Sequence, residues 1–501
     1  LSMISVPNHR QLLSGSKFIV FFCFLILGSG CELFKKAQDA PSVREKKDEE
    51  IDPLQSPLVY DPVRNEWVRV SAETPTEKMD TIRWTMIPAD NYPPITSIPT
   101  TSTGIPEGNP NVGIVERDNF GSIKKSNYNV VLMLPFLANN FDANSKQFSN
   151  ISEWTLNYYG GAKMALKQLE NEGMNLKVNV MDTKGTEDQV NQLLQNSTAL
   201  KNADLIIGPY RRDNIRMVAE YAKRNEVTMV SPYSASANLT DDNPFYLQVS
   251  PSLEAHCRAI IFNARKKFRP EQIVILYQDS PAKRQTVQYF QEANKLYSES
   301  TQVAPLDEYA LPADEFPSAE DLDLSPYLGD QDSLAFIIPA WSSADQNFAY
   351  LMLSQIDLER DPFQYLEVYG LPQWQQYDRI DLDYFEKLNL HISSNVFLDN
   401  ESNDVLQFKR DFYDQFGLIA PFESFLGHDV MLFCGRMLKK YGNKFQYHLE
   451  KENPQYLHTR FEFERVVDPT TTGAEDLPIE QWENKFVNIL KFENYRFKKA
   501  N

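Results

Sequence analysis

Two adjacent arginines, Arg211 and Arg212, follow the run Leu205-Ile206-Ile207-Gly208-Pro209-Tyr210, where a short apolar strand gives way to a helix. Two guanidinium groups at a helix N-terminus, where unpaired backbone N–H groups gather, favour a carboxylate or a phosphate. The other reading is that both face solvent or pair with Asp213 and Glu220. A second polar loop, Tyr233-Ser234-Ala235-Ser236, follows Val230-Ser231-Pro232. Both loops lie in one stretch, 202–247, that reads as strand, turn, helix, strand and polar loop. Strands joined by a helix form a parallel pair, and ligands of open α/β sheets sit at the carboxyl ends of such strands. Tyr210, Arg211, Arg212, Tyr233, Ser234 and Ser236 are therefore candidate ligand-binding residues.

Bond-making chemistry has no comparable signal. The patterns HExxH, GxSxG, Walker A and GxGxxG do not occur, and His256, His391, His428, His448 and His458 fall on different elements. No spacing of His, Cys and carboxylates suits a metal. The expectation is a binding protein rather than an enzyme, with no cofactor and no metal.

The 501 residues are 42% hydrophobic and include 31 Phe and 24 Tyr, ample for a large core. A net charge of −19 argues against nucleic acid as a partner, because that partner demands clustered Lys and Arg. With Met3 as the start, Arg10 and Lys17 precede the run 18–27, FIVFFCFLIL, which is short for a membrane span and suits a secretory signal. The run ends in Gly28-Ser29-Gly30-Cys31, and small residues before a cysteine resemble a bacterial lipobox. That resemblance implies a signal peptide over 1–31 with Cys31 lipidated, although Gly28 stands where a leucine is expected. An ordinary signal peptide cut nearby is the alternative. Glu32 is not the aspartate that retains lipoproteins in the inner membrane, so the expected address is the periplasm, anchored to the outer membrane through lipid.

Residues 32–127 carry a charge run and then Pro93-Pro94, Pro99, Pro106 and Pro110, the composition of a Pro-rich tether with extended segments. Alternation within 60–70 and 81–86 suggests short strands there. Cys257 and Cys434 could form a disulfide in an oxidising compartment or remain two buried thiols.

From 128 onward, β and α signals alternate. Strands are expected over 130–134, 176–181, 205–207, 272–277, 334–339, 365–369 and 394–398, with helices between them. Helices over 404–416 and 424–441 and strands over 460–466 and 486–492 close the chain, and the acidic run 307–332 reads as a surface insertion. This order predicts an α/β protein with two Rossmann-like lobes built on doubly wound parallel sheets.

Four groups of residues make this part of the chain resemble the type I periplasmic ligand-binding proteins, in particular the branched-chain amino acid and amide receptors of ABC importers. They are Gly160-Gly161-Ala162; Ile206-Ile207-Gly208-Pro209; Val230-Ser231-Pro232 with Asn243-Pro244; and Phe416-Gly417, Pro421 and Gly427-His428-Asp429. The resemblance implies two lobes joined by three crossover strands, 128–250 with 399–458 and 251–398 with 459–501, closing on a ligand by hinge motion.

It also implies where this chain departs from the family. Arg211 and Arg212 occupy the place of a small hydroxylated residue, and Ala235 the place of a threonine that grips amino acids, leaving Ser234 or Ser236 as substitutes. Ser280-Pro281-Ala282-Lys283 replaces a Tyr-Gly pair. Trp341 and Trp374, on loops expected to face the cleft, would stack on a ligand or pack within their lobe. Asp399 would meet a ligand amine or lie at the hinge surface. His428-Asp429 stands at a capping or packing position.

The implied function is capture of a small ligand, amino-acid-like, a peptide fragment or another anion, with an ABC permease as partner. The alternative is a protein-interaction lipoprotein of the same fold, such as an activator of peptidoglycan synthases or an envelope-complex subunit; a sensor domain working with a transmembrane partner is a third possibility. An open, polar-lined cleft would favour the receptor, and a cleft filled by side chains the adaptor.

Overall fold

A computed structural model describes residues 58–61, 66–69, 118–140, 148–235, 239–240, 242–298, 302–312, 322–329, 331–467 and 478–500. The chain divides into two compact units, Leu1–Glu107 and Gly108–Asn501. In the first, β1 (Leu58–Asp61) and β2 (Glu66–Arg69) pair antiparallel, so the alternation read over 60–70 covers the end of one strand and the whole of its partner. The secretory segment, Cys31 and the expected strand over 81–86 lie outside the described residues.

The second unit holds two sheets. The first runs in the order β13 (Phe463–Val467), β14 (Ile479–Asn484), β7 (Tyr246–Gln248), β6 (Thr228–Ser231), β5 (Leu205–Ile207), β3 (Asn127–Leu134) and β4 (Asn175–Asp182). The other runs β16 (Arg496–Lys499), β15 (Asn488–Glu493), β12 (Leu390–Ser394), β11 (Tyr365–Gly370), β10 (Ser333–Ile337), β8 (Ile273–Asp279) and β9 (Asp307–Pro312). Within each, the strands that alternate with helices are parallel, and the late hairpins add antiparallel edges. Helices cover both faces, which is why the central strands are continuous apolar runs: Val130 to Leu134 is buried throughout.

The chain passes between the lobes three times, between Gln248 and Leu253, between Ser394 and Asn403, and between Asn484 and Asn488. Glu483 accepts the backbone N–H of Ser252 at 2.8 Å, so the first and third passages are tied together. Arg258 and Glu464 form a two-pronged pair across the lobes at 3.0 and 2.9 Å.

Three expectations are corrected. The sheet pairing puts 463–467 and 479–484 in the first lobe, not the second, because β14 adds parallel to β7; an edge hairpin has no alternating helix to mark which sheet it joins. The acidic run begins with β9, a parallel neighbour of β8, whose exposed edge position accounts for its Asp and Glu. The strand expected over 394–398 lies earlier, at Leu390–Ser394, and the residues after it are the second passage.

In the first lobe, helix α1 (Asn150–Asn171) buries Tyr158, Ala162, Ala165 and Leu169 on one stripe. The elements that follow are α2 (Glu187–Asn196), α3 (Arg212–Asn225), α4 (Leu253–Ala264), α5 (Pro281–Tyr297), α6 (Gln346–Glu359), α7 (Asn403–Phe416) and α8 (Phe422–Tyr441). α8 returns from the second lobe and crosses α1 at backbone contact. A Cβ on Gly161 would lie 1.7 Å from the Ser424 carbonyl oxygen, and one on Gly427 1.9 Å from that of Tyr158. Beside this crossing, the fully buried Asp429 carboxylate accepts from the backbone N–H of His458 at 2.9 Å and meets the ring nitrogens of His458 at 2.5 Å and His428 at 2.7 Å. Burial alone would raise the Asp429 carboxyl, but attraction to His458 and the two imidazole hydrogen bonds outweigh it and hold it below the usual range. The His458 carbonyl in turn accepts from Phe397 N–H at 2.9 Å, and Thr459 Oγ1 donates to the Asn395 carbonyl at 2.9 Å. The second passage is thereby fixed to the first lobe.

Gly161→Ala should lower the unfolding free energy by about 3 kcal/mol or more, since neither backbone can retreat. Gly173→Ala, at φ +75° with nothing within 4 Å, should cost only about 1–2 kcal/mol. Chemical denaturation of the two variants checks the contrast.

Candidate functional site

The first wall of the interlobe cleft is built at the carboxyl ends of β5 and β6. Gly208 turns the chain away from β5 at φ +95°, where a Cβ would come within 2.1 Å of the Met133 carbonyl oxygen. The turn presents Tyr210, which stacks on Tyr233 from the next loop with ring centroids 4.6 Å apart and planes 21° apart. Trp154 of α1 meets both rings edge-on, at 4.7 and 5.4 Å. Desolvation, then the neighbouring Tyr233 hydroxyl, pushes the Tyr210 phenol well up, so it stays protonated. Arg211 is the N-cap of α3, its guanidinium near the turn at Gly185, and Arg212 is the first helical residue. Among the described residues neither arginine makes an ion pair; Asp213 is instead placed 3.9 Å from Arg216. The pairing of Arg211 and Arg212 with Asp213 and Glu220 is not what the structure contains.

The second wall comes from β10 and α4. Trp341, 38% exposed, sits on the loop after β10. Asp345 Oδ2 accepts from the backbone N–H groups of Trp341 at 2.8 Å and Ser342 at 2.9 Å, and from Lys283 Nζ at 2.7 Å. Lys283 also donates to the Pro339 carbonyl at 2.7 Å, and Tyr377 Oη to that of Ser342 at 2.8 Å. The stretch 280–283, which lacks the Tyr-Gly pair of the resembling family, thus supplies a strut for the Trp341 loop. His256, in the first turns of α4, packs edge-on against Trp341 with centroids 5.8 Å apart. Its imidazole is buried, and Nδ1 has no hydrogen-bond partner. A buried polar atom left unpaired costs about 1–3 kcal/mol.

Between these walls lies an open cavity of about 990 Å³, floored by the passages through Ser250, Pro251, Asn395, Val396 and Phe397. Tyr210, Arg211, Arg212, Tyr233, Ser234 and Trp341 all line it. Ser236 lies outside the described residues. Two expected residues are elsewhere. Trp374 is fully buried in the core of the second lobe, its ring against Gly370, Tyr377 and Phe385, so it packs within its lobe. Asp399 caps the turn into α7, accepting from Glu401 N–H at 3.1 Å, and lines a different cavity of about 1220 Å³ between α1, α7 and α8. Phe397 borders both cavities.

Sequence reasoning missed His256 and Lys283. The usable signal for His256 was its position just after the first interlobe passage, at a helix start; for Lys283 there was none, because its partner Asp345 is distant in sequence. Cys257 and Cys434 are two buried free thiols. Among the described residues no group of His, Cys, Asp and Glu could hold a metal, and no helix is long and apolar enough to cross a membrane.

The two-sheet, three-passage topology decides the fold. The chain has the type I periplasmic-binding fold. A family profile described as the receptor family ligand binding region matches residues 159–332. A Rhodospirillum rubrum protein described as a branched-chain amino acid ABC transporter shares 12% identity over 74% of this chain and 99% of its own, with a TM-score of 0.53. An ABC transporter substrate-binding protein from Desulfitobacterium hafniense, in complex with Leu, shares 14% identity over 75% of this chain and 100% of its own, with a TM-score of 0.46. No curated protein matches the sequence. In this type I periplasmic-binding fold, Gly161 and Gly427 act at the helix crossing and Gly208 at the cleft wall, so the residues that carried the resemblance are those the backbone geometry demands.

Burial pushes the His256 imidazole down to about 3 from its ordinary 6.5. The folded chain keeps this ring neutral while the unfolded chain takes up a proton below about pH 6.5, so stability through this group falls as pH drops from about 6.5 towards 3. The melting temperature should decline over that window, and His256→Phe should flatten the decline. Equal slopes in the two proteins would assign the decline to other groups.

Proposed function

We propose that this protein is a non-catalytic receptor that captures a small molecule in the interlobe cleft and closes on it by hinge motion. The observation that carries the reading is the open cavity of about 990 Å³ lined from both lobes and by the passages between them, a volume ordinary for a small-molecule site. Its walls offer convergent polar groups, and it is not filled by side chains as an adaptor's cleft would be. A ligand touching both walls makes contacts available only in the closed form, which is what shifts a two-state hinge. Arg211 and Arg212 favour an anionic substituent on the ligand.

The leader-like run 18–27 and Cys31 support export and lipid anchoring on the periplasmic side, with the outer membrane as the address and 32–127 as the tether. Delivery to an ABC permease is the partner reading that the fold supports. Labelling of cells with an alkyne fatty acid should mark the wild-type chain and not Cys31→Ser; labelling of both would remove the lipid anchor from this reading.

The decisive measurement is a thermal-shift screen of the full chain against amino acids, short peptides, sugars, muropeptides and aromatic acids. One class should raise the melting temperature in a dose-dependent way, as binding to the native state alone requires. Arg212→Ala should weaken an anionic ligand about ten-fold. No response from any class, together with capture of a cell-wall synthase or envelope protein, would replace the receptor with an adaptor.

A further inference from the structure

The cleft contains an asymmetry that points to one kind of ligand. Three of the aromatic rings lining it are open, Tyr233 at 47%, Phe422 at 40% and Trp341 at 38%, and Tyr233 and Trp341 belong to opposite lobes. Tyr233 is supported from behind by the stacked Tyr210, and Trp341 is held by the Asp345 and Lys283 strut, so both present a fixed ring to the same space. Beside Trp341, the ring of His256 lines the cavity while only 3% exposed, and its Nδ1 is buried without a hydrogen-bond partner. Among the described residues, the charged side chains lining the cavity are Arg211 and Arg212, with no Asp or Glu. An ammonium group would therefore find two like charges and no carboxylate among those lining residues, and Ala235 provides no hydroxyl to help hold one.

Resting on the receptor reading above, we propose that the cleft takes a flat aromatic compound, neutral or anionic, sandwiched between Tyr233 and Trp341 on closure, with an uncharged hydrogen-bonding edge turned to His256. The α-amino group of an amino acid is what this site excludes. Each part has a physical source. Stacking between facing rings rewards a flat π-face over a branched aliphatic chain. A neutral imidazole whose Nδ1 has no partner gives up least to a group that donates or accepts one hydrogen bond and carries no charge. The arginines tolerate an acidic substituent at the opposite end and repel a basic one.

The test is calorimetric titration of the full chain with four probes: indole, indole-3-acetate, tryptamine and L-leucine. Indole-3-acetate should bind, indole more weakly, tryptamine at least ten-fold more weakly than indole-3-acetate, and leucine not measurably. Trp341→Ala and Tyr233→Ala should each weaken indole-3-acetate about ten-fold or more; the second variant stands in should the first fail to fold. His256→Phe keeps the ring shape, removes both nitrogens and should weaken indole and indole-3-acetate alike while leaving the melting temperature of the free protein at pH 7.5 no lower. Leucine or tryptamine binding as tightly as indole-3-acetate would overturn this inference and leave the receptor reading standing. So would indole-3-acetate binding that survives both the Trp341 and the His256 substitutions. Failure of all four probes would overturn the inference as well, and a response to sugars or muropeptides in the thermal-shift screen would show that the receptor reading survives it.

Discussion

The fold depends on one close approach, that of α1 to α8 through Gly161 and Gly427. α1 is made early in the first lobe and α8 only after the chain has built most of the second lobe and come back. Two helices can sit at backbone contact only where neither carries a Cβ at the crossing, and each supplies a glycine opposite the other's carbonyl. Packing density in cores leaves no slack for a methyl group there. The returning helix is thereby set in one register, and everything attached to it, including α7 and the segment that runs to β13, inherits that position.

The buried Asp429 extends this constraint from packing to the second passage between the lobes. Its carboxylate is held by two imidazoles and a backbone N–H, and the residues it fixes, His458 and Thr459, hold the second interlobe passage at Phe397 and Asn395. Satisfied in this way, a buried charge specifies geometry; with any partner removed it becomes an uncompensated cost. The second passage is thus anchored at its first-lobe end through Asn395 and Phe397.

Most of the architecture was legible in the sequence because parallel sheets covered by helices write themselves as apolar runs separated by periodic helices. Val130 to Leu134 and Leu205 to Ile207 could hardly be anything else. What was not legible followed from the absence of such punctuation. β9 reads as an acidic loop since an edge strand buries little, and β13 and β14 carry nothing that says which sheet they extend. At the site, residues directly after strands were found because topology places them: Tyr210, Arg211, Arg212, Tyr233 and Trp341 line the cleft. Trp374 also follows a strand end, but Gly370 beneath it and Phe385 beside it draw the ring into the core, a contact set by residues on separate elements. His256 was passed over because a single histidine on an apolar helix looks like core until its missing partner is seen.

The order of strands has a consequence for how this chain must be made. Both sheets are finished by residues 479–493: β14 closes the first against β7, and β15 closes the second against β12. Until residues 479–493 are available, each sheet ends in an unpaired, largely apolar edge, the kind of surface that templates aggregation. Neither lobe can therefore complete itself before residues 479–493 have been synthesised. Both halves are then completed with neighbouring strands of one short segment.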